Sequence, residues 1–470
     1  MKPLTLIALG SPCDTLKVNF DKLSSLDVFE GSTIADRGQH FDRYLYEIKT
    51  DYFAVLDSIG KIEISAQALY ELIRNLKKND AGLAYSDYFL NNSLIKLNDY
   101  LPGSFRDDFD FGSIFVFSTE KVKKVLQKYG GLKFRKYGAL YDLRLKLSIE
   151  YPIIRLERGL YKVHGYTTRS AHERIFSYVD PKNRDYQEEM EEIFISYLKH
   201  IDAYIPAQIL KNAEDDFSDY PVLASIVIPV KNREKTIADA LKSAISQKTN
   251  FSYNVLVVDN HSTDKTGKIV EDFSKNYSVI KRLIPESKNL KIGGCWNEAI
   301  LDPACGRFAV QLDSDDLYEN SEVLQLIVDT LIEGKYAMVV GAYRTVDENL
   351  NQIPPGIVDH REWTTSNGHN NLLRVGGIGA PRAYRTSLLR KLLFKDIGYA
   401  EDYEMALKIS REYKIGRIWQ PLYMARRWGD NSDSDMDMKK MRVFNEIKDR
   451  IRTEEVKERK KFLKSLHDDR

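Results

Sequence analysis

The sequence predicts an α/β protein with two domains of related fold in tandem, each built on a mostly parallel sheet, the N-terminal one truncated. Three observations carry this. Val/Ile-rich runs alternate with helically spaced apolar residues in the second half; the same order of segments recurs in the first half; and carboxylates cluster where the strands of the second half end. A chain of 470 residues also exceeds one core, so two domains of roughly 200 residues each are expected.

Leu4 to Leu9 reads as a first strand, the apolar stretch being too short for a signal peptide. A restart occurs at "YPVLASIVIPVKNREKTIADALKSAISQ", residues 220–247. Its segment 225–230 is a buried-strand run, and 236–246 has helical spacing at Ile237, Ala240, Leu241 and Ile245. "NVLVVDNHSTDKTGKIVEDF" adds a strand ending at Asp259 and another helix. Strand–helix alternation implies a parallel sheet covered on both faces, which takes ligands at the carboxyl ends of its strands. Residues 229–233, 259–264 and 313–316 fall at such ends. Between the halves, Met190, Ile193, Tyr197 and Ile201 mark a connecting helix. The expected segmentation is 1–180, a connecting helix in 181–219, a site-bearing domain at 220–433, and a charged C-terminal helix at 434–470.

The repeat is ordered. "YFAVLDSIGKIE" (52–63) parallels "RFAVQLDSDDLYEN" (307–320) after a one-residue gap, and helical text follows each. "YGALYDLRLKLS" then parallels "IGYAEDYEMALK", placing Asp142 opposite Asp402. Such a series indicates duplication. The stretch ahead of the repeat runs 221–292 in the second half but only 1–37 in the first, so a strand–helix unit is missing or shortened there. Ile59 and Gly60 replace Asp315 and Asp316.

Composition excludes several classes. The net charge of +1 provides no basic field for nucleic acid. Three cysteines, Cys13, Cys295 and Cys305, form no CxxC pair, which fits a reducing cytoplasm rather than a disulfide or zinc scaffold. No apolar run reaches the ~18–20 residues that span a bilayer. The C-terminal helix has a cationic excess and a thin seam of Phe444, Ile447 and Ile451. It reads as a solvated helix packed by that seam, or as a peripheral contact with an anionic membrane surface on the cytoplasmic face.

Asp313 and Asp315 lie one residue apart behind a strand. Two carboxylates at that spacing suit Mn²⁺ or Mg²⁺, hard cations whose remaining positions substrate phosphates and water can fill. The plainer reading is a capped turn, for which three aspartates are more than is needed.

"SIVIPVKNREKTIADALKSAISQ", "VLVVDNHSTDKT", "FAVQLDSDDLYEN" and "GYAEDYEMALKIS", in that order, resemble the family 2 glycosyltransferases of Rossmann-related GT-A fold. The resemblance covers about residues 224–432, and the first half more faintly as a degenerate copy expected to be inactive. It implies an inverting transferase using a nucleotide-sugar donor and a saccharide or glycolipid acceptor. Pro229, Lys231, Asn232, Arg233 and Asp259 would hold the nucleoside, and Gly293 and Asn297 would line its ribose. Asp313, Ser314 and Asp315 would form the DXD motif carrying the metal, and Asp402 would be the base, with Glu401 beside it on the acceptor side. Arg426 and Arg427 fall where relatives place a His or Arg near the diphosphate. "MARRW" lacks the glutamine of processive synthases. Trp363, His369, Asn370 and Asn371 lie in the usual acceptor region and can stack on and hydrogen-bond a sugar; as plain sequence, that stretch is a polar surface loop. A homodimer is compatible with this reading. Two other classes stay open: a sugar nucleotidyltransferase, against which "PVKNREKT" lacks the usual glycines, and a non-catalytic saccharide-binding scaffold, the preferred reading for the first half.

Overall fold

A computed structural model describes residues 3–9, 14–35, 41–57, 60–132, 136–165, 184–214, 219–427 and 438–468. The chain forms two compact units: Met1–Ser177 with Lys182–Tyr204 and Asp437–Arg470, and Tyr178–Pro181 with Ile205–Met436. This differs from the expected segmentation at both helices. Helix Arg184–His200 buries Met190, Ile193, Phe194, Tyr197 and Leu198, with Phe194 ring-packed on Phe105 at 4.8 Å, and so belongs to the first unit's core.

The C-terminal helix Met438–Asp468 also joins the first unit. Its contact is more polar than the Phe444–Ile447–Ile451 seam predicts. Asp449 accepts from Ser104 Oγ at 2.9 Å and pairs with Arg452 at 2.9 Å, both side chains 1% exposed. The Gly103 N–H donates to Thr453 Oγ1 at 2.9 Å, and a Cβ on Gly103 would run into the Asp449 carbonyl, so only glycine allows this approach. Charge that reads as solvated in sequence is here partly buried in pairs. Among the described residues no helix is long and apolar enough to cross a membrane.

The first unit's large sheet has the order Phe29–Ala35, Leu4–Leu9, Tyr52–Leu56, Ile114–Ser118, Leu83–Ser86, Ile153–Leu156. Leu4–Leu9 is parallel to both its neighbours; Ile114–Ser118 is antiparallel to both of its own; the last pair is parallel. The second unit's sheet runs Ile280–Leu283, Tyr253–Asp259, Ala224–Val230, Phe308–Gln311, Arg382–Arg385, Met338–Val346, Ile415–Arg426, Leu317–Tyr318. Its directions follow the same scheme, with Arg382–Arg385 as the antiparallel insertion. The second sheet has one further parallel strand, Ile280–Leu283, outside Tyr253–Asp259. That strand is the unit whose absence from the first half the shorter leading stretch predicts. Ser58, Ile59 and Cys13 lie outside the described residues.

Ala224–Val230 and Tyr253–Asp259 read as continuous apolar runs because they are covered from both sides. Helix Ile237–Ile245 buries Ile237, Ala240, Leu241 and Ala244, and helix Val323–Glu333 buries Val323, Leu324, Ile327, Val328 and Leu331. This packing fixes the strand ends from which the site is built.

Candidate active site

Phe308–Gln311 delivers the chain to the aspartate turn. The Leu312 N–H still bonds Val227 O at 3.1 Å, so the turn starts from the sheet itself. The Asp313 N–H then donates to Tyr423 Oη at 2.8 Å, and the Asp316 N–H to Asp313 O at 3.2 Å. Asp316 Oδ1 accepts the Arg426 N–H at 2.7 Å, and Ser314 is buried within the turn. Asp315 Oδ2 lies 3.8 Å from Arg233 Nε. Burial, then the charges of Asp315 and Asp313, push the Asp316 carboxyl well above the usual range. The turn therefore sets three carboxylates close together, with Arg233 and the Arg426 N–H at its edge.

The loops after Ala224–Val230 and Tyr253–Asp259 brace each other. Asn232, at φ +51°, accepts the Thr263 N–H on Oδ1 at 2.7 Å, and the Arg233 N–H donates to Thr266 Oγ1 at 2.7 Å. Pro229 is half-buried in its strand and Lys231 is exposed beside it. Asp259 is fully buried; Oδ1 accepts the Ser262 N–H at 2.9 Å, and Oδ2 accepts from Arg282. Burial opposes its charge, but those bonds prevail and hold the carboxyl below its ordinary range. Its oxygens thus organise the loop, which corrects the expectation of a carboxylate presented to a nucleoside.

Gly293 and Asn297 also differ from expectation. Asn297 clamps the Phe394 backbone, donating to its O at 2.8 Å and accepting its N–H at 2.9 Å. A Cβ on Gly293 would strike the Lys395 carbonyl. Asp396 Oδ1 accepts the N–H groups of Lys291 and Gly294 at 2.7 and 2.9 Å, at the start of helix Ile292–Leu301. These residues fasten segment 394–396, which leads towards helix Glu401–Ser410; close backbone approach, rather than ribose contact, explains the glycine.

Ala400, at φ +64°, precedes Glu401 and Asp402. Asp402 Oδ1 accepts the Tyr403 N–H at 2.7 Å; Oδ2 pairs with Arg382 Nη1 at 2.6 Å. Arg382 Nη1 also donates to Gly379 O at 3.0 Å, and the Arg382 N–H donates to Gln311 Oε1 at 3.2 Å. Gln311 Nε2 in turn donates to Asp313 Oδ2 at 2.8 Å. A continuous chain of polar contacts therefore links Asp313 to Asp402. Burial opposes the Arg382 charge, but Asp402 and other neighbours outweigh it and raise its pKa. Burial, then the charge of Asp402, pushes Glu401 up to about 8. Sequence reasoning missed Arg382 and Gln311. Gln311 had a signal: it is the residue by which "FAVQLDS" exceeds "FAVLDS".

The acceptor expectations are corrected by burial. Trp363 is fully buried, donates to Ile378 O at 3.2 Å, and has the Arg417 guanidinium 3.9 Å from its ring centroid. Asn370 accepts the Ile205 N–H at 3.0 Å and donates to its O at 2.8 Å. Asn371 donates to Glu362 O and accepts from Arg374 Nε at 3.0 Å; His369 is buried alongside. These polar residues satisfy backbone inside the fold. Arg426, also buried, places Nη2 at 3.3 Å from Asp239, and the Arg427 N–H bonds Val346 O at 2.7 Å.

The second unit is thus an α/β sheet whose acidic turn and carboxylate-bearing helix are joined through the end of one strand pair. Residues 225–397 match the family model for glycosyl transferase family 2. The E. coli UDP-Glc:alpha-D-GlcNAc-diphosphoundecaprenol beta-1,3-glucosyltransferase WfgD is 31% identical over 42% of this chain and 73% of its own. The probable glycosyltransferase YdaM of Bacillus subtilis is 27% identical over 41% of this chain and 47% of its own. An uncharacterised glycosyltransferase of Rickettsia bellii is 24% identical over 86% of this chain and 54% of its own. TarS residues 1–349 of S. aureus, solved with UDP-GlcNAc, aligns with 46% of this chain and 62% of that one at 24% identity, with a TM-score of 0.38. The chain spans about half the length of YdaM and of the Rickettsia protein. The chain belongs to glycosyl transferase family 2.

Proposed function

We propose that the second unit is a metal-dependent, inverting glycosyltransferase that moves a sugar from a nucleoside-diphosphate donor to a hydroxyl of a saccharide or glycolipid. The observation that carries this reading is the polar chain from Asp313 through Gln311 and Arg382 to Asp402, which sets an acidic turn and a buried-edge carboxylate around one place. WfgD's name gives it a UDP-glucose donor and a diphospholipid-linked sugar acceptor, which supports that substrate class.

The residues present suit Mn²⁺ or Mg²⁺ bound together with a diphosphate. Among the described residues no three His, Cys, Asp or Glu form a ready cage. Asp313 and Asp315 are hard oxygen donors beside Asp316, whose carboxyl is pushed up by burial and then by those two neighbours. Bound there, the cation supplies Lewis-acid neutralisation of the leaving diphosphate. Arg233 is placed to follow the phosphates when released from Asp315. Asp402 takes the proton of the acceptor hydroxyl as that oxygen bonds the anomeric carbon and the carbon–phosphate-oxygen bond breaks on the opposite face. Glu401, kept protonated at neutral pH, adds no second negative charge there.

The first unit lacks this set. Val55 faces Phe115 where Gln311 meets Arg382, and Ala139 and Leu140 start the helix that Glu401 and Asp402 start in the second unit. We read it as a non-catalytic unit. The test is hydrolysis of UDP-glucose, UDP-N-acetylglucosamine and GDP-mannose in Mn²⁺. Turnover of at least one donor, abolished by EDTA, is expected. Failure with all three, or indifference to EDTA, counts against metal-dependent transfer from these donors.

A further inference from the structure

We propose that Arg382, seated by Gln311, is a positioning residue that aims the Asp402 carboxylate and ties it to the aspartate turn. The inference rests on the reading of Asp402 as base and deepens it.

The Gln311 amide is used at both ends. Its Nε2 holds Asp313 Oδ2 and its Oε1 holds the Arg382 N–H, and the side chain is 1% exposed, so it has little freedom to turn. Arg382 then has its guanidinium between the Gly379 carbonyl and Asp402 Oδ2, with side-chain exposures of 16% for Arg382 and 23% for Asp402. A guanidinium–carboxylate bond of this kind is short and directional. With Tyr403 N–H on Oδ1 and Arg382 on Oδ2, rotation of the Asp402 carboxylate about its own axis is restricted. Of these groups, Arg382 alone also connects to the turn.

The first unit supplies a control within the same chain. Tyr52 stands opposite Ser118 where Phe308 stands opposite Arg385, and the next residue closes each pair alike, Thr119 N–H on Asp51 O at 3.0 Å and Thr386 N–H on Arg307 O at 2.9 Å. Where Gln311 meets Arg382 the first unit therefore has Val55 opposite Phe115, both buried. An apolar pair satisfies this fold at this point, and burying an arginine and a glutamine instead costs desolvation. The polar pair accompanies the aspartates, while its apolar substitute accompanies their loss. The structure shifts the expected pairing of the two helices: the Asp142–Lys146 pair at 3.0 Å matches Glu404–Lys408 at 2.9 Å, and Ala139 and Leu140 stand where Glu401 and Asp402 stand. The sheet gives no structural reason for Arg382; the carboxylates on either side of it do.

The full-length chain tests this with turnover of whichever donor the wild type hydrolyses, and with calorimetric binding of UDP and GDP in Mn²⁺ as the probe. Arg382→Gln should lower the turnover number about 100-fold, the effect of a misplaced reacting group, while nucleotide affinity stays within about threefold. Gln311→Val installs the residue the first unit carries here, Val55, so it is compatible with the fold; it should lower turnover through the same route. The double variant should lose no more than Arg382→Gln alone, whereas independent roles would multiply the losses. Guanidinium added to Arg382→Ala should recover turnover. Turnover of Arg382→Gln within about threefold of wild type, loss of turnover and nucleotide affinity in step, or multiplicative losses in the double variant would each overturn the proposal. A wild-type chain that binds neither nucleotide and turns over no donor removes the reading beneath it, and that is seen before any variant is made.

Discussion

In the first unit, strand Tyr52–Leu56 sets Val55 against Phe115, and the helix Ala139–Glu150 begins with Ala139 and Leu140. In the second unit, strand Phe308–Gln311 ends on Gln311 and the aspartate turn, with Asp402 held by Arg382. Strand order and direction agree through six strands. The sheet can therefore be built without the polar set. The first unit forms its sheet without counterparts of Gln311, Arg382 and Asp402, which supports the ligand role proposed for the second unit's carboxylates.

The largest expected effect comes from replacing Asp402 of the second unit, with Asp142, an ion-paired aspartate of the first unit, as the structural control. Asp402→Asn should lower turnover about 10³-fold and leave UDP binding in Mn²⁺ intact. Asp142→Asn should leave turnover per folded molecule unchanged but lower the melting temperature, because Lys146 is left buried without its partner. Equal losses of turnover in the two variants would erase the distinction between the units.

A second contrast is polar burial that supports structure rather than chemistry. Asp449→Ala leaves Arg452 and Arg106 without their shared carboxylate, at a cost of about 3 kcal/mol. Hydrogen exchange of residues 98–106 should accelerate while UDP affinity in the second unit does not change. Unaltered exchange would mean that the helix contributes little to the first unit.

The smallest effect concerns pH. Glu401 is pushed up from near 4.5 to about 8, so in that window the folded chain binds more protons than the unfolded one. Its contribution to stability therefore falls as pH rises from about 4.5 to about 8. Glu401→Gln should flatten the decline of melting temperature across this window, with no counterpart in the first unit, where Ala139 starts the corresponding helix. A slope unchanged from wild type would contradict the assigned protonation.

Much of the fold was legible because burial on both faces writes itself as Val/Ile runs: the strand expected at 4–9 is found at Leu4–Leu9, and the one ending at Asp259 spans Tyr253–Asp259. The repeat was legible for the same reason. The site was read less completely. Local clusters such as Asp313 to Asp316 stand out in sequence, whereas Gln311 and Arg382 meet only because two antiparallel strands bring them together. Polarity also misled where backbone needed partners: Asn370, Asn371 and Asn297 resemble ligand contacts, yet they complete the hydrogen bonds of Ile205, Glu362 and Phe394. In the C-terminal helix, charge suggested solvent or membrane, but Asp449 and Arg452 are buried together.

The most direct measurement of the central claim is calorimetric titration of the full-length chain with UDP in Mn²⁺, for wild type and Asp315→Asn. One UDP per chain, lost in EDTA and in Asp315→Asn, is the predicted result. Two sites per chain, or one that survives Asp315→Asn undiminished, would contradict the assignment of donor binding to the aspartate turn of the second unit.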